Sequence, residues 1–96
     1  MRYVRVAWKH VFPDDPILIY SELDDDRWEV RKVEVFRDGA LGYASTKGSS
    51  RSLGLGLEPY PSLEEIAGDP QFEPVEITRQ EFEEIWLRAL TPRSPP

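Results

Sequence analysis

Few side chains in this chain can do chemistry, and their spacing limits which kinds. His10 is the only histidine and cysteine is absent. A catalytic zinc site gathers several His, Cys or carboxylate ligands around an open position, so this inventory predicts none. Glu22 with Asp24-Asp25-Asp26 concentrates carboxylates for a hard cation. Consecutive residues point in different directions, however, and the calcium-loop pattern is absent, so no metal or other cofactor is expected. A nucleophile would be a Ser, Thr or Lys, with His10 as the one imidazole base, and Ser21 approaches it only if the first two strands pair. Glu22, Glu29 and Glu34 are carboxylates that burial in a sheet would perturb. Arg31 can pair with Glu22 or Glu29 across strands, as a structural ion pair or as a clamp for a carboxylate or phosphate.

Two further patterns weaken on inspection. Gly54-Leu55-Gly56 hints at a phosphate loop, but Pro59 stands where a dinucleotide fingerprint needs its third glycine. Lys47-Gly48-Ser49-Ser50-Arg51 can cradle an anion through backbone N–H groups, but a plain flexible loop is the better reading. The aromatics Trp8, Tyr20, Trp28 and Tyr43 sit on strand-like segments, where rings line pockets or interfaces as well as cores. If Trp8, His10, Tyr20, Glu22 and Arg31 share one face of a sheet, that face, with Glu29, is the candidate binding site.

The elements that must position these groups follow from periodicity. Tyr3 to His10 alternates apolar and polar residues, as a strand does. Phe12-Pro13-Asp14-Asp15-Pro16 reads as a loop and Ile17 to Glu22 as a second strand. A third strand spans Trp28 to Phe36. Its apolar residues change parity between Val30 and Val33, which predicts burial on both faces or a β-bulge near Arg31 and Lys32. Asp38-Gly39 predicts a type I′ hairpin into Ala40 to Ser45. Thr46 to Gly56, with three glycines and four serine or threonine residues, reads as a loop. Ser62-Leu63-Glu64-Glu65 and Thr78-Arg79-Gln80-Glu81 are capping boxes. The first opens a short helix ending near Gly68. The second opens a helix with an apolar stripe of Phe82, Ile85, Trp86, Ala89 and Leu90, in which Glu84 and Arg88 are spaced to pair. Phe72 to Ile77, interrupted by Pro74, is an edge strand or irregular segment.

Strands first and helices afterwards predict an α+β fold: an antiparallel sheet of about four strands, one short helix, and one C-terminal amphipathic helix packed on the sheet. Residues 1–91 form a single domain in this reading, and 92–96 a disordered tail. Without cysteine the chain fits a reducing cytoplasm, and charges within its first apolar stretch argue against a membrane span or signal peptide. The net charge is −6, divided as −1 over residues 1–48 and −5 over 49–96. This disfavours nucleic acid, whose phosphates demand clustered Lys and Arg, and fits a basic partner as well as it fits mere solubility.

Trp8-Lys9-His10, Tyr20-Ser21-Glu22-Leu23, Arg31-Lys32-Val33-Glu34-Val35-Phe36 with Asp38-Gly39, Glu65-Ile66, Glu76-Ile77 and Glu81-Phe82 through Trp86 together resemble an uncharacterised bacterial domain family of similar length. The match runs from Arg2 to Leu90 in order. The resemblance implies a bacterial domain, with no established activity, ligand or site. The reading that best accommodates an acidic scaffold without a complete catalytic constellation is a protein-binding module, monomer or homodimer, such as an immunity or antitoxin-like inhibitor. The rival is a small enzyme or anionic-ligand-binding protein, with His10 as acid or base, Glu22 or Glu29 as carboxylate and Arg31 holding the anion.

Overall fold

A computed structural model describes residues 1–49 and 53–91. The expected tail over 92–96, and Ser50 and Arg51 of the anion-cradling stretch, lie outside the described residues. In chain order the elements are β1 (Arg2–Trp8), β2 (Leu18–Leu23), β3 (Glu29–Val35), β4 (Leu41–Ser45), β5 (Gly48–Ser49), α1 (Leu63–Ala67), β6 (Phe72–Glu76) and α2 (Arg79–Leu90). The strands form one antiparallel sheet in the order β5-β4-β3-β2-β1-β6.

The fold is α+β, with six strands rather than about four. Both additions lie at sheet edges, where the sequence signal is weakest. β6 tolerates Pro74 because its outer side makes no ladder bonds, so the missing N–H costs nothing there. β5 is only two residues long and folds back on β4 from within the glycine- and serine-rich stretch, pairing Ser49 with Ala44 and Gly48 with Ser45.

Of two local expectations, the bulge holds and the turn type is corrected. The register shifts where Glu22 faces Arg31 but Leu23 faces Glu29, so Val30 is the extra residue, just before the predicted bulge position. The β3–β4 turn has a positive φ at Gly39 (88°) but not at Asp38, whereas type I′ needs both. The Gly39 N–H donates to the Phe36 carbonyl and the Phe36 N–H to that of Ala40 (both 2.9 Å). This is a three-residue loop with glycine in the left-handed position, and Asp38 supports it by accepting from the Ala40 N–H.

Register sorts the side chains by face. Tyr3, Arg5 and Ala7 of β1 lie level with Glu22, Tyr20 and Leu18 of β2, and these with Arg31, Val33 and Val35 of β3. Helix α2 covers this face through Phe82 and Trp86, with Phe82 fully buried beside Tyr3 (ring centroids 5.4 Å apart) and Trp86 edge-on to Tyr43 (5.6 Å). Both capping boxes form, with Ser62 accepting from the Glu65 N–H and Thr78 from the Glu81 N–H. Glu84 accepts from Gln80 in place of the expected partner Arg88.

The opposite face carries Val4, Val6, Leu23 and Phe72, packed under Leu63 and Ile66 of α1 and under Tyr60. Five residues are too few for a helix to persist alone, so α1 depends on these contacts and on the segment before it. Arg27 anchors that segment. Its guanidinium donates to the carbonyls of Tyr60 (2.9 Å) and Pro61 (2.8 Å), while its carbonyl accepts from the Tyr60 N–H (2.7 Å). Arg27 does this from a left-handed backbone conformation (φ 68°) that a non-glycine residue adopts at a cost of about 1 kcal/mol.

Candidate functional site

The charged residues singled out in the sequence converge in part. Glu22 and Arg31 face each other across β2 and β3 under α2, and their side chains pair bidentately, Nε to Oε1 at 2.6 Å and Nη2 to Oε2 at 2.8 Å. Glu83 of α2 closes the pair from above through both terminal guanidinium nitrogens. Arg31 also lies over the rings of Phe82 (4.9 Å) and Trp86 (5.0 Å), a cation–π arrangement with two rings of α2. Hydrogen bonding to Arg31 holds the Glu22 carboxyl below the usual carboxylate range despite its burial. The Arg31 proton is correspondingly held more tightly, first by Glu22 and then by Glu83. Burial, with the bond to Glu22 adding to it, pushes the Tyr3 hydroxyl up.

All three Arg31 nitrogens are therefore committed to carboxylates. Among the described residues no buried side-chain N or O lacks a partner. This cluster joins α2 to the sheet and leaves no donor set open to an incoming anion. Glu83 was not singled out in the sequence. The signal available was its position beside Phe82 in the apolar stripe, opposite an arginine that must be neutralised if buried.

The other expected members lie elsewhere. Tyr20 shares the α2 face, whereas Trp8 and Glu29 belong to the opposite face. His10 follows β1, where its Nε2 donates to the Pro16 carbonyl (2.7 Å) and its Nδ1 accepts from the Phe12 N–H (2.9 Å). These two backbone partners define the neutral Nε2–H tautomer and make His10 the clasp of the β1–β2 loop. Ser21 is fully buried and donates to Glu29 Oε2 (2.7 Å), while Glu29 Oε1 accepts from the Gly56 N–H (2.9 Å). Burial raises the Tyr60 hydroxyl, which a hydrogen bond to Ser21 partly offsets. Ser21, Glu29 and Tyr60 thus fasten residues 56–60 to the sheet. Asp24 Oδ1 accepts from the N–H groups of Asp26 and Trp28 and so shapes the β2–β3 turn, and Trp28 is 42% exposed. Among the described residues no three His, Asp or Glu groups are placed to hold a metal ion.

The open surface is on the α1 side. Between α1, Tyr60-Pro61 and the sheet runs a groove of about 440 Å³, lined by Val6, Ile19, Tyr60, Pro61, Glu65, Ile66, Asp69 and Phe72. It exists because α1 is short and sits against β6, its Leu63 and Ile66 reaching the cluster that holds Val4 and Val6 of β1, which leaves Ile19 of β2 only partly covered. Aromatic rings continue from it, with Phe72 to Trp8 at 6.0 Å, Trp8 to His10 at 4.2 Å and His10 to Phe12 at 5.5 Å. The tract ends in Phe12, 53% exposed, and Val11, 88% exposed. Glu65 and Asp69 border the groove and neither is in an ion pair among the described residues. Glu34 lies on the same face directly across from Ile19, and burial pushes its carboxyl up, Lys32 opposing and Glu29 and Asp15 reinforcing the rise. A second hollow, of about 570 Å³, lies between Pro13-Asp14 and Phe36-Arg37-Asp38. Arg37 there donates from Nη2 to the His10 carbonyl (2.8 Å).

A six-stranded antiparallel α+β domain with one helix-locked face and one open grooved face is the class these features define. The chain belongs to the family described as domain of unknown function DUF6881, whose model matches residues 2–91. Comparisons with curated proteins and with solved structures give no match. No helix among the described residues is long and apolar enough to cross a membrane.

Proposed function

We propose that this domain is a protein-binding module whose working surface is the α1-side groove with its aromatic extension, and that its partner presents a basic, partly apolar segment. The observation that carries this reading is the groove itself: an apolar floor of Val6, Ile19 and Phe72 bordered by the carboxylates of Glu65 and Asp69, neither of which is in an ion pair among the described residues. Partly covered apolar side chains favour association because contact removes their surface from water, at roughly 25 cal/mol per Å². The border carboxylates, which among the described residues accept only local hydrogen bonds from the Ser62 hydroxyl and the Gln71 N–H, keep their negative charge for a partner, add orientation and discriminate against acidic partners. The partner-facing charge agrees with the net −6 of the chain.

An immunity or antitoxin-like inhibitor in a bacterial cytoplasm is the concrete form favoured by this chemistry. Such a role asks for a stable acidic scaffold and no cofactor, and the absence of cysteine suits a reducing compartment. Capture from a bacterial lysate with three baits tests the surface: the unaltered chain, Ile66→Trp to fill the groove, and Val75→Glu as a control on the α2 side. A protein retained by the first and third baits and lost from the second is the expected result. Retention indifferent to Ile66→Trp would overturn the proposal.

A further inference from the structure

The geometry points to Glu34 as the recognition subsite of the groove, taking a lysine or arginine side chain from the partner segment, an inference that rests on the groove being the binding surface. Glu34 faces Ile19 across the β2–β3 pair and Gly42 across the β3–β4 pair. It therefore has an isoleucine as its cross-strand neighbour on one side and a glycine on the other. A long cationic residue has matching parts, since its methylene stem packs on apolar surface while the charged head reaches a carboxylate.

The carboxylate is not used by the fold. Among the described residues no hydrogen bond or ion pair engages Glu34, although it is half-buried. Lys32, the cation two residues away on the same face, donates instead to the Gly54 carbonyl. The other half-buried or buried carboxylates of the central strands are each satisfied, Glu22 by Arg31 and Glu29 by Ser21 and Gly56. A carboxylate taken partly out of water without a partner opposes folding, so a cation arriving there gains a charge-assisted bond with little further desolvation cost to the glutamate. Asp15 and Glu29 lie close enough to deepen the negative potential that this cation meets.

The test uses a random linear peptide library displayed on phage, selected against the full chain. Selected peptides are then synthesised and titrated against the unaltered chain, Glu34→Gln and Ile66→Trp. Amide shift changes at Val6, Ile19 and Ile66 of the unaltered chain locate the bound peptide even if Ile66→Trp folds poorly. The expected peptides combine apolar residues with one essential Lys or Arg, and bind Glu34→Gln about tenfold or more weakly. Replacing that Lys or Arg by norleucine should cause a similar loss that Glu34→Gln does not enlarge. Peptides that occupy the groove but bind Glu34→Gln unchanged would overturn the subsite and leave the groove reading standing. A selection yielding no groove-dependent peptide would overturn both.

Discussion

At the scale of single residues, two carboxylates on adjacent strands show how partners decide the sign of a charge's contribution. Glu22 is stabilised as an anion by Arg31, so its contribution is fully present above the ordinary glutamate range, near about 4.3, and is lost as pH falls through its depressed folded value. Glu34 behaves oppositely. Its folded-state proton affinity is raised by burial, so it favours folding only when protonated, and that advantage disappears as pH rises through the raised value. Glu34→Gln should therefore raise Tm at neutral pH, with the gain over the unaltered chain vanishing in acid, as thermal melts across pH will read. Arg31→Met strands Glu22, whose side chain is only 8% exposed, and should cost about 3–5 kcal/mol in urea unfolding. The double substitution Glu22→Met with Arg31→Met should cost less than Arg31→Met alone, because no unpaired buried charge remains.

At the scale of elements, the two helices are attached by different means. Helix α2 carries its own cap and a buried apolar stripe. Thr78→Ala should cost about 1 kcal/mol through the lost cap, and Phe82→Ala about 3–5 kcal/mol through the cavity it leaves, both read from denaturant midpoints. Helix α1 has no fully buried residue and depends on the Arg27 fork to hold Tyr60-Pro61. Arg27→Gly sets relief of left-handed backbone strain against loss of that fork. The two effects, each of order 1 kcal/mol, should nearly cancel in global stability. Hydrogen exchange across 60–67 should nevertheless accelerate, since local opening responds to the lost tether alone. Exchange unchanged in that segment would show that the fork does not hold α1.

At the scale of the whole molecule, the sheet has two edges and one underfilled face. The β6 edge bears Pro74 with Glu73 and Glu76, and Glu73 pairs with Lys9 at 2.5 Å. Proline and charge both oppose strand addition at an edge. Sedimentation of the unaltered chain should therefore report a monomer of 11.1 kDa, and a dimer that dissociates on Val75→Glu would place self-association on β6 despite these guards. The groove face is where association is expected, because α1 is too short to cover the width of six strands.

Much of this was legible in the sequence, through interactions that are local. The central strands follow from alternation, both helix starts from capping boxes, and the α+β class from element order. A carboxylate partner for Arg31 follows from two strands expected to be neighbours, with register choosing Glu22 over Glu29. The short β5, the choice between edge strand and irregular segment for Phe72 to Ile77, the missing positive φ at Asp38 and the addition of Glu83 to the ion cluster were not decided there, since each depends on a partner distant in sequence or on the edge geometry of the finished sheet. The sequence by itself determined which residue types can face a core and which charges the molecule must accommodate. Only the tertiary structure decided that Arg31 is spent, that His10 is a loop clasp, and that Glu34 stands unpaired beside an apolar groove. Whether a polar group is free for function depends on every neighbour that could satisfy it, and those neighbours are assembled by packing.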